Sequence, residues 1–571
     1  MKLAFTFDEY HQVVSGFAER LPAALSRTHL TSDLAIEAER LRILDSLSTR
    51  FTVAVVGQMK AGKSTLLNAL LGRDLAPTGV VETTATVNWF RWDRGDLNGH
   101  FRVHWADGRE EDFPLGDIRE WLREERHAAA TRWIDFFSAS ELLETVNLVD
   151  TPGTRSVVDT HEGAARSFLL DEQPAPDAFD AKTRDTGSRA DAIVYVLNPV
   201  AKETDQSVLR EFEANSRMPG STLHNSLAVI QKWEHLGGDN WRTGSALREA
   251  RRKCERLAAQ LRGQVGVVLP TSGLLARRAM TLPVEGVWDP LAYLATKSDE
   301  GDFEILLEDA ASFTSDDGLS RPLLSSVERS FLRGQLDWPV VRLAMAEARR
   351  ESLTSGEELR RHIYTLSGVD ELKRVLHETF FRKAGLIKAN TVLRRAWVPC
   401  SVALARLQED ERVRGEEMAR LDGVRARVAQ VADASLRSEL ERFLGDAAQN
   451  LVRDVRTLRS TRVDLDQLRE EVFKNFNALE KDLEGIAAVH ASIGLPAADK
   501  STFLGLFGER GTAIETRLGL DSSSPRGVSI ECADRLLSAF QPKSTPGAKN
   551  SPLYKYACER LEQILDVLER G

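Results

Sequence analysis

Cysteine is scarce in this chain. Cys254, Cys400, Cys532 and Cys558 are the only four among 571 residues, they lie far apart, and no CxxC or Cys/His cluster joins them. That pattern excludes a disulfide framework and a structural zinc site, and it is the usage of a reducing cytosol. Long apolar runs are missing too, since none approaches the roughly 18 to 20 residues that a spanning helix needs. The start, MKLAFTFDEYHQ, meets Asp8 and Glu9 before a signal-peptide core can form. A cytoplasmic protein is therefore expected, with any membrane contact peripheral, at the inner face of the cell membrane. There is no basic excess: the formal net charge is −10, which speaks against a nucleic-acid partner. Proline is absent between Pro399 and Pro496, so nothing there breaks a long helix.

What is present falls into two characters. Phe5 to Ser48 reads as two helices, with Leu34, Leu41, Leu44 and Leu47 at helical spacing in the second. Apolar strands follow at FTVAVVG, TATVNWF, FRVHW, TVNLVD, DAIVYVLNP, SLAVIQK and VGVVLPTS, with helical patterns between most of them. That alternation predicts an α/β domain with a mostly parallel sheet and helices on both faces. The two strands flanking the turn RGDLNG are expected to form an antiparallel edge hairpin. Gly273 to about Ala384 is mostly helical. Beyond Lys388, apolar residues run in steps of three and four, from Leu440, Leu444, Ala447, Leu451, Val455 and Leu458 to Leu465, Leu468, Val472, Phe476, Leu479, Leu483 and Ile486. As one helix the proline-free stretch would extend about 140 Å, so an elongated antiparallel bundle is expected instead.

The most specific signal is Gly57-Gln58-Met59-Lys60-Ala61-Gly62-Lys63-Ser64, a GxxxxGKS after a strand and before a helix. The glycines let backbone amides curl toward phosphates, Lys63 supplies a cation to the outer phosphates, and the Ser64 hydroxyl is placed for Mg²⁺, with Thr65 next to it. Asp150-Thr151-Pro152-Gly153 closes the strand TVNLVD. There an Asp reaches Mg²⁺ through water, and the Gly153 amide senses a γ-phosphate. Between the two, ETTATV (82–87) stands where a switch threonine belongs. The base-reading position after SLAVI carries Gln231-Lys232-Trp233-Glu234, where a guanine reader would show Asn-Lys-x-Asp. Amide, lysine and carboxylate keep their order with longer side chains. Glu234 can still accept two hydrogen bonds from guanine, and Ser272 in LPTSG falls in the loop that covers the base. GTP is favoured, with ATP the alternative.

These residues resemble the bacterial branch of the dynamin-like GTPases, and the likeness continues in YTLSGVDELKRVLHETFFRKAGLIKAN (364–390). The resemblance implies a large GTPase that dimerises head to head through its nucleotide face, assembles on membranes and often works with a second dynamin-like subunit. It implies phosphate and Mg²⁺ contacts at Lys63 and Ser64, a switch threonine at Thr84 that also binds Mg²⁺, and a second switch at Asp150 and Gly153. Lys60 occupies the place where guanylate-binding proteins, similar in this loop, carry a cis-acting arginine, so it is a candidate transition-state cation.

On this basis residues 1–50 are expected to pack with a neck or stalk. Residues 51–275 would form the GTPase core, 276–386 a helical extension completing it, and 387–571 a helical stalk with a candidate membrane or assembly tip. For that tip, Ala491 to Gly508 offers Ile493, Leu495, Phe503, Leu504, Leu506 and Phe507 for insertion into an anionic membrane, against packing back on the bundle. Arg453, Arg456, Arg459 and Arg462 fan over a helix and read as a solvated face. His100 and His104 share a strand face and read as surface histidines. The competing function is a nucleotide-dependent scaffold or stress-response switch that never touches lipid.

Overall fold

A computed structural model describes residues 3–57, 60–78, 86–150, 190–197, 225–236, 245–261, 265–492, 494–547 and 549–570. Gln58, Met59, Thr84, Gly153 and Ile493 lie outside the described residues. The chain divides into two compact units, one of residues 50–381 and one that joins 1–49 to 382–571.

The first unit is built on a nine-stranded sheet. Its strands are β1 (Thr52–Gly57), β2 (Val87–Trp92), β3 (His100–Trp105), β4 (Glu110–Pro114), β5 (Thr131–Ser138), β6 (Asn147–Asp150), β7 (Ala192–Leu197), β8 (Ser226–Ile230) and β9 (Val268–Pro270), in the spatial order 4-3-5-2-6-1-7-8-9. Strands β6, β1, β7, β8 and β9 run parallel. Every residue of β1 and β7 is buried, as expected where both faces of a parallel sheet are covered. The other half is mixed, and β3 alternates buried and half-buried residues.

The RGDLNG hairpin is not formed. β5 inserts between the two strands, pairing parallel with β2 and antiparallel with β3, while β3 hairpins with β4. The reason is burial: Phe136 stacks between Phe90 and Phe101, a seam that direct β2–β3 pairing would leave empty. Helices from Gly273 to Thr379 gather a second core around Trp233, Trp288, Leu291, Val340, Met345 and Ile363.

The second unit is helical. Helix α1 (Phe7–Leu25) starts on a Thr6–Glu9 capping box and buries Tyr10, Val14, Phe17, Leu21 and Leu25, one face at helical spacing. α2 (Leu34–Ser48) follows. Two long helices, Ala384–Val428 and Ala434–Ala491, are separated at Asp433, whose carboxylate caps the second by accepting from the amides of Ser435 and Leu436. The predicted apolar stripe from Leu440 to Ile486 thus lies on one 58-residue helix. The bundle's first turn comes before that stripe, at residues without proline.

The apolar stretch before Gly508 is folded inward. A helix spans Ala497–Leu506, with Phe503, Leu506 and Phe507 buried. Phe503 meets Phe540 and Tyr554 edge-on at 5.0 and 5.1 Å. Arg459 and Arg462 both reach Glu411 on the neighbouring long helix, at 2.6 and 2.8 Å. His104 corrects an expectation. It is not a surface residue but is held between Asp135 (2.9 Å) and Glu110 (3.1 Å) and stacked on Trp133 at 4.2 Å. The strand pairing that brings those carboxylates to it was not visible in the sequence.

Candidate nucleotide site

Strand β1 ends where helix α3 (Lys63–Leu71) begins, and the turn between them is fixed by sterics. A Cβ on Gly57 would fall 2.3 Å from the Val196 carbonyl oxygen, so only glycine lets β1 lie this close to β7. Lys60 and Gly62 both adopt left-handed backbone, with φ of 63° and 98°. For Lys60, a residue with a Cβ, that conformation costs about 1 kcal/mol. Strain of this kind is tolerated where surroundings impose it, and here the Lys232 ammonium donates to the Lys60 carbonyl at 2.8 Å. Lys232 is itself left-handed at φ 61°. The Lys60 side chain is exposed, while Ala61 and Lys63 are buried.

Three side chains meet at the mouth of α3. Lys63 donates to the Gly57 carbonyl at 3.1 Å, and the Ser64 hydroxyl donates to Asp150 Oδ2 at 2.7 Å. Asp150, at the end of β6, is buried and its Oδ1 has no hydrogen-bond partner. Burial raises its pKa, opposed by the Lys63 charge and the Ser64 hydrogen bond. A buried carboxylate oxygen left bare, beside a hydroxyl and under a helix N-terminus, has the donor chemistry of a site for a hard cation next to phosphate. Ser64 and Asp150 therefore fit Mg²⁺.

The base-side loop is built by Trp233, which is fully buried and anchors a short turn, Trp233–His235, in the helical core. Gln231 accepts from the Gly273 amide at 3.1 Å, leaving its buried Nε2 without a partner. The Glu234 side chain has no exposed surface and neither of its oxygens makes a hydrogen bond. Its pKa is pushed up to about 7, chiefly by burial. Its own backbone amide and the neighbouring Ser272 hydroxyl, which also caps the next helix by accepting from the Leu275 amide, lower it in part. Gly273 packs on α3 so closely that a Cβ would sit 2.9 Å from the backbone of Thr65 and Leu66. Lys60, Lys63, Ser64, Asp150 and Gln231 to Glu234 are thus assembled around one mouth.

Residues 53–233 match Dynamin_N, the Dynamin family. Over these residues the chain is similar to that family. Its similarity to curated proteins covers part of the chain. Isoniazid-induced protein IniC of Mycobacterium tuberculosis is 31% identical over 249 residues, 42% of this chain and 46% of that protein. Dynamin-like protein 2 of Campylobacter jejuni is 30% identical over 138 residues, 24% of this chain and 22% of its own. The chain therefore spans less than half the length of these relatives. A solved structure of an oligomerised bacterial dynamin pair, presented as a mechanism for long-range sensing and tethering of membranes, is 16% identical. It covers 94% of this chain and 87% of its own, with a TM-score of 0.31.

Two features of this head escaped the sequence reading. Ser367 and Gly368 close on the base-side loop: the Ser272 amide donates to the Ser367 carbonyl at 2.8 Å, and a Cβ on Gly368 would lie 2.5 Å from the Pro270 carbonyl oxygen. Asn68 and Arg277 grip the segment leaving α3. A polar, poorly helix-forming Asn among leucines was the available signal for the second. Among the described residues no helix is long and apolar enough to cross a membrane, and no cluster of three or more His, Cys, Asp or Glu suits a metal ion.

Proposed function

We propose that the chain hydrolyses GTP with Mg²⁺, faster when self-associated, and that it binds or remodels anionic membranes from the cytoplasmic face. The observation that carries the chemistry is the triad of Lys63, Ser64 and Asp150 at the N-terminus of α3, with Asp150 Oδ1 bare. In this reading Ser64 and Asp150, with Thr84 from the switch segment, hold Mg²⁺, which neutralises phosphate charge when bound. The amides of residues 60–65 and the positive end of α3 take the β- and γ-phosphates, and Lys63 neutralises the oxygens where charge grows. Gly153 senses the γ-phosphate. Lys232 and Glu234 take the base, the Glu234 carboxylate needing to turn out of its buried position and ionise to accept from guanine.

Lys60 is assigned the transition-state cation, brought into register when two heads meet through their nucleotide faces or when a second dynamin-like subunit docks there. The test is GTP turnover per molecule across a protein-concentration series, with and without anionic liposomes, and with ATP as control. Turnover rising with concentration and again with lipid supports the whole reading. A Lys60→Ala protein with wild-type turnover would remove Lys60 from it.

One observation favours the second reading, a nucleotide-dependent scaffold that never touches lipid: the apolar side chains before Gly508 are occupied within the bundle. Flat turnover indifferent to lipid, with no binding to liposomes, would select it. Hydrolysis of ATP as fast as GTP would show that Glu234 does not read guanine.

A further inference from the structure

The first two helices lie along the long pair for only part of its length. Arg20 pairs with Glu471 at 2.7 Å, Arg27 with Asp464 at 3.5 Å and His29 with Asp410 at 3.6 Å. There the chain turns back, Asp33 pairing with Arg406. A cavity of about 520 Å³ opens at this turn, lined by His29, Asp410, Val413, Arg453, Thr457 and Leu458 among others. The two long helices continue outward to their own turn at Asp433.

One stripe on each long helix changes character at this step. In the second helix, Thr461, Leu465, Leu468 and Val472 are at most 7% exposed. The same three- and four-residue spacing continues outward to Leu451, Ala447, Phe443, Leu440 and Leu436. There Phe443 is 69% and Leu436 49% exposed. In the first helix, Val392, Ala396, Ala403 and Leu407 are buried, whereas Glu417, Leu421 and Val424 further out are half-buried. The face that the first two helices cover thus runs on uncovered, with the geometry to take another pair of helices.

Charge and area point to the occupant. Residues 411–458 carry nine arginines, no lysine and nine carboxylates. With no net charge, this region has no general attraction for an anionic membrane or for a strongly acidic or basic partner. It does match itself. Glu439 and Arg442 stand toward the tip, Arg453 and Asp454 toward the cavity, and reversing the direction sets opposite signs together. Of these four only Asp454 has an ion pair among the described residues, with Arg414 at 3.9 Å. Leu436 to Thr457 spans about 32 Å of helix, and two helices side by side offer roughly 18 Å of width. Two copies would bury about 1,100 Å², enough for a specific contact.

We propose that this face binds a second copy of the chain antiparallel, the Asp433 tip of each hairpin entering the cavity beside His29 of the other. The contact is built from the helical unit alone and needs no nucleotide, so it does not rest on the pairing of heads described above.

The test is sedimentation velocity of the full chain without nucleotide, across a concentration series. A dimer is expected. Phe443→Asp should weaken it roughly tenfold or more and leave circular dichroism and thermal midpoint unchanged, because that side chain is exposed. Glu439→Arg should weaken it too, and Glu439→Arg/Arg453→Glu should recover part of the loss. Ala447 lies midway along the stripe, close to the two-fold axis of such a pair. Ala447→Cys should therefore give a disulfide-linked dimer on oxidation, since the four native cysteines are buried. Val452→Cys, exposed but turned about 140° away on the same helix, should not. A chain that stays monomeric at every concentration overturns the proposal. So does a dimer that Phe443→Asp leaves intact, or one seen only with a GTP analogue, which would belong to the heads. Liposome binding by a monomeric wild type, lost in Phe443→Asp, would give the face to lipid instead.

Discussion

One buried carboxylate of the helical unit and two of the head differ in their partners. In the helical unit, Asp482 accepts from Arg517 at 2.9 Å and from Arg560 at 2.5 Å. Arg517 also donates to the carbonyls of Leu506 and Thr512, and both guanidiniums lie over the Phe5 ring. In the head, Asp150 has one bare oxygen and Glu234 two. Burying a carboxylate is costly in either place. Asp482 does its work inside the fold, joining the long helix to Arg517 and to the last helix. In the reading proposed above, the bare oxygens of Asp150 and Glu234 are held for the metal and the base.

Substitutions can break that contrast, the largest first. Asp482→Ala leaves two arginines buried and unmatched, so the helical unit should lose about 3 to 5 kcal/mol, read by urea denaturation followed by circular dichroism. A cost below the effect of an ordinary surface change would show that the cluster is not a fastening. Lys63→Ala removes the cation over the phosphates and should cut GTP turnover by roughly 10²- to 10³-fold with little change in thermal midpoint. Retained turnover would mean that nucleotide is hydrolysed elsewhere.

Glu234 gives a pH-dependent test. Its folded pKa of about 7 lies above the ordinary value of 4.5, so the folded chain holds the proton more tightly than the unfolded one. The nucleotide-free head should therefore lose stability as pH rises from about 4.5 to 7, by about 3 kcal/mol in all. Glu234→Gln should stabilise the free head at pH 8, leave it unchanged at pH 4, and weaken GTP binding at both. A variant that stabilises and still binds GTP fully would make this carboxylate a structural accident. Arg459→Ala, whose side chain is 66% exposed in its pair with Glu411, should cost less than about 1 kcal/mol. A larger loss would place part of the helical unit's strength on its surface.

Much of the head could be read in advance because its signals are local. A strand, a glycine-rich turn and a helix start are contiguous, so Gly57 to Ser64 carried both fold and site. The strands NLVD, AIVYVL and SLAVI are short, fully buried runs that only a parallel sheet explains. What could not be read depends on pairing between distant segments. β4 and β5 were missed because EEDFP carries few apolar residues and TRWIDFFS follows directly on a short helix, and with them went the hairpin and His104. The position of Glu234 depends on how deeply Trp233 is drawn into the core, which spacing in QKWE does not encode. In the helical unit, three- and four-residue spacing gave the buried stripe, while the break between the long helices rests on the cap at Asp433, one polar residue among many.

The strand order also has a consequence for synthesis. β2 is flanked by β5 and β6, both of which follow it in the chain, at residues 131–138 and 147–150. When Trp89 and Phe90 leave the ribosome, neither edge of their strand has a partner, and the next strand made is not one of its neighbours. An apolar strand open on both sides is the kind of surface on which nascent chains associate. This half of the sheet must then close late, by long-range pairing, which is slow. The assembly of the head is therefore exposed to misfolding during the interval in which residues 93–150 are being added, before any nucleotide can help to hold it together.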